Sequence, residues 1–319
     1  HRRFVSGFSN MNLLDKNKEQ FSSGSVLLEN EPMSKYSTWR CGGRAKLFFQ
    51  PKTKNDVSIF LKSYSECDQI TWLGLGSNTL FIDDVVDATI IATSPNLSEF
   101  HWSAQDTLYA ECGVTCSRVA KEAAKKCWGG LEFLAGIPGV LGGALTMNAG
   151  AHGSEIWSFV SAVEVIDRKG TQFVLNSKEY SPSYRCIDGP ELWFLGAWLK
   201  FNQKVSNGTE KIRSLLEKRK LTQPTGSSTC GSVFKNPDGG YAGRMIDECG
   251  LKGYRIGDAQ ISDIHANFIV NRGNASAYQI LELIKLAREE VKRKFHIELQ
   301  TEICQVGTEG SQNCEVKYP

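Results

Sequence analysis

Glu132-Phe-Leu-Ala-Gly136-Ile-Pro-Gly139-Val-Leu-Gly142-Gly-Ala144-Leu-Thr-Met-Asn148-Ala-Gly-Ala151 is the stretch on which the fold turns. It follows neither the alternation of a strand nor the period of a helix. Its glycines leave the backbone nearly bare, so a large flat ligand can approach the main-chain N–H groups. Ile137, Val140, Leu141, Leu145 and Met147 are interleaved for burial, whereas a flexible linker favours Ser and charge. Ordering each interior glycine costs about 0.5 to 1 kcal/mol, and a bound cofactor is the expected compensation.

Upstream, Leu73-Gly-Leu-Gly-Ser-Asn78 follows a strand-like run. Two glycines bracketing one residue let consecutive N–H groups face an anion, and a pyrophosphate suits that turn. The dinucleotide fingerprint is not met, since no third glycine follows at the required spacing and no clear helix opens there. By itself the motif reads as a tight turn.

Around these segments, strands are expected at Lys46 to Phe49, Ile70 to Leu75, Ala88 to Ala92 and Thr107 to Cys112. Helices are expected at Lys54 to Tyr64 after Thr53, and at Ser117 to Cys127 behind a Ser cap, with Val119, Ala120, Ala123, Ala124 and Cys127 on one face. Strands resume at Phe159 to Ile166, Gln172 to Leu175 and Leu192 to Phe201. A boundary is placed near Gln203, before a charged helix at Thr209 to Lys220 and a loop from Gln223 to Ser228. Ala275 to Phe295, capped by Asn274, is an amphipathic helix packed on a sheet through Ile280, Ile284, Ala287, Val291 and Phe295. This divides the chain into an arm at 1–33, a two-subdomain unit at 34–202, a smaller α+β unit at 203–307 and a polar tail at 308–319. Phe4, Phe8, Leu13 and Leu14 are scattered anchors of the arm.

Composition narrows the function. In 319 residues, 37 basic against 35 acidic groups leave a net charge of +2, too little field for coating a nucleic acid. Ten cysteines with no CxxC pair and five histidines without HxxxH or HExxH give a metal site no support. The uncharged run between Glu132 and Glu155 holds six glycines, Pro138, Asn148 and His152, so it is no membrane span. His1-Arg2-Arg3 precedes no apolar leader, and an opening His in place of Met reads as a trimmed or tagged start. The expected compartment is the reducing cytoplasm, with cysteines free, buried and without a redox role.

The ordered set Arg40-Cys-Gly-Gly43, Leu73–Asn78, Leu131–Gly139, Met147–Ala151, Ser183-Tyr-Arg185, Gly231-Ser-Val-Phe-Lys-Asn-Pro237, Ala242-Gly-Arg-Met-Ile246, Gly250–Gly257 and His265-Ala-Asn-Phe-Ile-Val-Asn271 resembles the UDP-N-acetylenolpyruvoylglucosamine reductases, from about residue 34 to Gly307. The resemblance implies a two-subdomain FAD-binding fold of the vanillyl-alcohol-oxidase (PCMH) type followed by a smaller α+β substrate domain. It implies FAD in the glycine-rich cleft, against Arg40, Gly74, Gly76, Ser77, Asn78, Gly136, Ile137, Pro138, Gly139, Gly142, Gly143, Ala144, Asn148, Ala149 and Gly150. NADPH would reduce the flavin, and the enolpyruvyl ether of UDP-N-acetylglucosamine would then be reduced to UDP-N-acetylmuramate for peptidoglycan synthesis. A monomer is expected.

Hydride addition to the vinyl carbon builds negative charge beside the carboxylate, so a cation and a proton source are needed. By resemblance Arg185 is the cation and Ser232 the proton donor, while Glu302 assists enolate formation and needs a raised pKa if it shares a hydrogen bond with the substrate carboxylate. Taken alone, these three read as a surface ion pair, a turn serine and a strand-edge glutamate. Tyr184, Lys220, Asn236 and His265 match substrate contacts, with Tyr254 and Arg255 as neighbours. Only 47 positions separate Arg185 from Ser232 (232 minus 185), leaving no room for the substrate-closing tyrosine loop of some members, so the chain resembles the type II form. Cys41 and Thr79 replace the usual aliphatic residues, and Cys230 beside Ser232 suggests sensitivity to thiol reagents. Two other readings stand beside this one, the first of which keeps the glycine segments. Another flavin enzyme of this fold, passing electrons to oxygen, needs neither Ser232 nor Glu302; an inactive nucleotide-sugar binder needs none of the three.

Overall fold

The computed structural model describes residues 20–64, 69–82 and 85–307. Most of the expected arm, the Cys67 region and the tail lie outside the described residues. The first sheet forms from β1 (Val26–Pro32), β2 (Arg44–Gln50), β3 (Ile70–Leu73) and β5 (Val85–Ala92), in the order β1-β2-β5-β3; β4 (Thr79–Phe81) lies apart. The β2–β5 and β3–β5 pairs are parallel, so a crossover helix is needed. That helix, α1 (Lys54–Ser63), starts where Thr53 and Asp56 close a capping box and buries Val57, Phe60 and Leu61.

The second sheet takes β6 (Phe100–Ala104), β7 (Thr107–Glu111), β10 (Val160–Ile166), β11 (Gln172–Asn176) and β14 (Trp193–Lys200), in the antiparallel order β11-β10-β14-β7-β6. Before β10 come α2 (Cys116–Lys125), α3 (Leu141–Thr146) and the short β8 (Gly150–Ala151) and β9 (Ser154–Glu155). Before β14, β12 (Ser181–Ser183) and β13 (Cys186–Asp188) form a hairpin. Phe49, Phe60, Ile91, Ile166, Trp193 and Leu195 fill the space between the two sheets.

Local readings are corrected in four places. The cap of α2 is Thr115, whose side chain accepts from Arg118 N–H, not Ser117. Cys127 lies beyond the helix at φ +59° and is exposed, so it does not share the buried face of Val119, Ala120, Ala123 and Ala124. The glycine stretch is ordered as a 3-10 turn (Glu132–Gly136) followed by α3, because its interleaved apolar residues reach the core. Cys304 is disulfide-bonded rather than free.

The last part comprises α4 (Gly208–Thr222), α5 (Ala242–Glu248), β15 (Arg255–Ile256), β16 (Ala259–Ile261), β17 (Ile269–Asn271), α6 (Ala277–Phe295) and β18 (Cys304–Val306). Helix α6 is capped by Ser276 with Gln279 completing the box, in place of Asn274. It packs on the β15-β16-β17 sheet through Ile280, Ile284, Ala287 and Val291, while Phe295 is only partly buried. Helix α4 packs on α2 and the 3-10 turn, with Ile212 in the core of the first unit, so this segment, expected to open the second unit, rests on the first. Strand β18 returns to pair with β4 in parallel, Cys304 opposite Thr79. Trp39 ties the units together: its Nε1 donates to the Ile269 carbonyl at 2.7 Å, and its own carbonyl accepts from Asn271 Nδ2 at 2.7 Å. No helix among the described residues is long and apolar enough to cross a membrane.

Candidate active site

Where the two sheets and the last unit meet, a cleft opens as two adjoining chambers of about 250 and 380 Å³. Gly74, Val140, Gly143, Arg185 and Glu302 line both. The larger chamber has the Gly74–Thr79 loop on one wall and Gly136 to Val140 on another; Ser232 borders it. The smaller one runs inward along Trp72, Thr93, Cys112 and Trp193 and is bordered by Lys235 and Thr301.

The loop after β3 owes its shape to Gly76. At φ +62°, a Cβ there would lie 1.8 Å from the Tyr36 carbonyl oxygen, so only glycine lets the turn sit against that backbone. Gly143 is the converse case: a Cβ would meet nothing within 4 Å, because the glycine borders the open cleft. Buried polar atoms near the smaller chamber lack partners, namely Trp72 Nε1, Trp193 Nε1 and Tyr180 Oη. Bare backbone in one chamber and unsatisfied polar atoms along the other fit a flavin dinucleotide with polar groups along its length.

Arg185 occupies the two-residue turn between β12 and β13, at φ +56°. A left-handed arginine costs about 1 to 2 kcal/mol of backbone strain. Its Nε lies 3.0 Å from Glu302 Oε1, although the N–H is not aligned for a hydrogen bond, and its Nη1 donates to the Gly150 carbonyl at 3.3 Å. Burial pushes the Glu302 carboxyl up from its ordinary value, against the pull of Arg185 and then Lys235.

Ser232 reaches the cleft because the irregular segment that carries it is clamped. Asn267 accepts from Phe234 N–H at 2.9 Å and returns its Nδ2 to the Phe234 carbonyl at 2.8 Å, while Val233 N–H donates to the Asn267 carbonyl. Glu302 N–H donates to the Val233 carbonyl at 2.8 Å, which holds the serine and glutamate segments side by side. On the other side, Asn78 Nδ2 donates to the Glu302 carbonyl at 3.0 Å, and the Asn78 carbonyl accepts from Cys304 N–H at 2.8 Å.

The other expected contacts divide. Gly74, Gly76, Ser77, Asn78, Gly136 to Gly139, Gly143, Ala144, Ala149 and Gly150 border the larger chamber, and Gly142 the smaller. Arg40 is exposed and outside both walls. Asn148 is also outside them; it is buried, and its Nδ2 donates to the Ser183 carbonyl and Glu155 Oε2, each at 2.9 Å, anchoring the hairpin that carries Arg185. Tyr184 is exposed, its ring centre 5.5 Å from the Arg185 guanidinium carbon.

Lys220 is displaced from its expected place. Leu215, Lys218, Arg219 and Thr222 form the cleft face of α4, while Lys220 lies with Ile212, Arg213 and Leu216 on a different groove. Helical phase is the reason, since one residue turns the side chain by about 100°. Arg219, missed by the sequence reading, is partly buried against the cleft and donates to Gln223 Oε1 at 2.8 Å. Asn236 lies outside both walls and accepts from Ala242 N–H at 3.1 Å, at the start of α5. His265 also stands off the walls; its Nδ1 accepts from Asn267 N–H at 3.2 Å. Burial, then the charge of Lys252, lowers its pKa.

Comparison with known proteins follows the same division of the chain. The FAD binding domain family matches residues 45–176, which makes the chain a flavin-binding protein of the two-part fold. The C-terminal domain of UDP-N-acetylenolpyruvoylglucosamine reductase matches residues 223–306. The reductase of Methylococcus capsulatus is 43% identical over 282 residues, covering 88% of this chain and 93% of that one. That of Nitrosomonas eutropha is 40% identical over 294 residues, covering 88% and 89%. The crystal structure of the Thermus caldophilus reductase superposes with a TM-score of 0.73 at 30% identity, covering 88% of this chain and 98% of the other. The chain belongs to the UDP-N-acetylenolpyruvoylglucosamine reductase family.

Proposed function

We propose that this protein reduces the enolpyruvyl ether of UDP-N-acetylglucosamine to UDP-N-acetylmuramate, with FAD as cofactor and NADPH as hydride donor. The observation that carries this reading is the meeting of Arg185, Ser232 and Glu302, from three distant segments, on a cleft walled by bare glycine backbone. When bound, FAD supplies two-electron chemistry, taking hydride from NADPH and passing it to the substrate.

The protein residues handle charge and protons. The Arg185 guanidinium holds the substrate carboxylate as charge grows on the adjoining carbon. Ser232 Oγ gives its proton to that carbon, and the hydroxyl suffices because an enolate carbon is a strong base. Glu302, whose pKa burial raises, donates a hydrogen bond in its protonated form to the substrate carboxylate as that group takes on enolate character. The Gly74–Asn78 loop holds the pyrophosphate, and Arg219 and Lys218 present cations to the phosphates of the nucleotide ligands. One chain contributes all three groups, in keeping with a monomeric enzyme whose FAD unit is followed by the substrate unit.

A visible spectrum of the FAD-loaded protein tests this. Anaerobic NADPH should bleach the flavin band, and the enolpyruvyl nucleotide sugar should restore it. Recovery with oxygen alone favours an oxidase of the same fold, and failure to bind FAD overturns the proposal.

A further inference from the structure

The geometry points to Lys235 as a positioning residue that holds the Glu302 carboxyl in place while Arg185 turns from Glu302 to the carboxylate of the substrate. This rests on the reductase reading above and adds a residue to it.

Arg185 Nε stands 3.0 Å from Glu302 Oε1. An arriving substrate carboxylate competes for the same guanidinium. Until Glu302 takes up the proton with which it hydrogen-bonds the substrate, it then needs a second partner, or it is left in a partly buried site as an uncompensated anion. Lys235 is placed to be that partner. Phe234 bridges Thr301 in antiparallel sense, Lys235 N–H donates to the Gln300 carbonyl at 2.9 Å, and Glu302 N–H donates to the Val233 carbonyl at 2.8 Å. By the register of that single bridge, residues 235 and 302 are diagonal neighbours, a spacing that a long side chain spans. Both border the smaller chamber, and the Lys235 charge acts on the Glu302 carboxyl.

The groups facing Glu302 come from each wall. The hairpin supplies Arg185 and Cys186, and Asp188 and Glu191 stand beyond them; the 231–235 segment supplies Ser232 and Lys235; Cys112 and Tyr180 line the smaller chamber, and Lys218 and Arg219 of α4 with His152 line the larger one. Asp188 and Glu191 are exposed and screened by water. Lys235 and Arg185 are thus the cations of this wall that act on Glu302, on different elements. When the hairpin arginine changes partner, the ladder lysine does not move with it. The carboxyl keeps its position, with Lys235 still opposing the upward push of burial on its pKa.

The test uses FAD-loaded enzyme, NADPH-reduced, with reoxidation by the enolpyruvyl nucleotide sugar followed across pH. The limb belonging to Glu302 is the one that disappears in Glu302→Gln. Lys235→Met should move that limb upward, since a lost cation favours the protonated acid. On the acid side of that limb, where Glu302 is protonated in both proteins, the loosened carboxyl should lower kcat with little change in KM and leave flavin reduction by NADPH intact, and Lys235→Arg should restore both kcat and the limb. An unmoved limb overturns the inference, as does a raised KM with kcat intact, which would make Lys235 a direct substrate anchor. Wild-type enzyme that fails to be reoxidised by the nucleotide sugar would instead overturn the reductase reading itself.

Discussion

Replacing Asn148 with alanine should damage the second half-reaction and leave cofactor affinity nearly unchanged. The side chain is 2% exposed, and its Nδ2 serves the Ser183 carbonyl and a Glu155 carboxylate oxygen. Losing the neutral bond costs about 1 kcal/mol and losing the charged one about 1.5 to 3 kcal/mol. Residue 148 also sits at φ +40°, which asparagine tolerates better than alanine. We therefore expect a loss of about 3 kcal/mol in urea unfolding of the FAD-loaded protein, with an unchanged slope. Ser183 lies two residues before Arg185, so the hairpin loosens where the guanidinium must be held; reoxidation by substrate should slow by about a hundredfold, the scale of an ångström of misplacement. Asn148→Gly removes the tether without the backbone penalty and should recover part of the stability but not the rate. Stopped-flow absorbance of the flavin reads both halves. An N148A protein with weakened FAD binding and normal reoxidation would refute this, since Asn148 would then be a cofactor contact.

Ser232→Ala should keep bleaching by NADPH and slow reoxidation by substrate about 10²- to 10⁴-fold, as measured by stopped flow; equal loss in both halves would remove Ser232 from the proton-transfer role. Gly76→Ala should destabilise by at least about 1 to 2 kcal/mol from the left-handed backbone alone, before the clash with Tyr36, whereas Gly143→Ala should unfold like wild type yet bind FAD more weakly in a fluorescence titration. His265 has a lowered pKa in the folded state, so the unfolded chain binds its proton first. The neutral ring's contribution is present above the ordinary histidine value of 6.5 and is lost as pH falls toward the folded value. His265→Gln should flatten that acid-side decline in thermal stability, and an unchanged slope would count against a neutral buried ring.

Local pattern made much of this molecule legible. Thr53 with Asp56, the periodic face of α6 and the apolar runs of the sheets are short-range signals that packing did not override. The caps at Thr115 and Ser276 were missed because neighbouring Ser117 and Asn274 offer similar chemistry, and only backbone direction chooses between them. In the site, Arg185, Ser232 and Glu302 were found by family pattern, since nothing in Leu299 to Ile303 separates Glu302 from a surface carboxylate. Lys220 and Arg219 differ only in helical phase, which the packing of α4 settles. The clamps made by Asn78, Asn148 and Asn267 join residues far apart in the chain, so no local period announces them.

The pairing of β18 with β4 bears on how the protein is made. Asn78 finds its partner on Glu302 only 224 residues later, and β4 gains its neighbour only when Cys304–Val306 has been translated. Until then the nascent chain carries an open strand edge at Thr79–Phe81 beside the phosphate loop, a surface suited to a chaperone or to mispairing. Contacts this distant are also slow to form, because loop-closure entropy is met before they are rewarded. A chain cut short before Thr301 would therefore lack its glutamate and the last support of its cofactor loop together. Premature termination should yield a protein visible to cellular quality control.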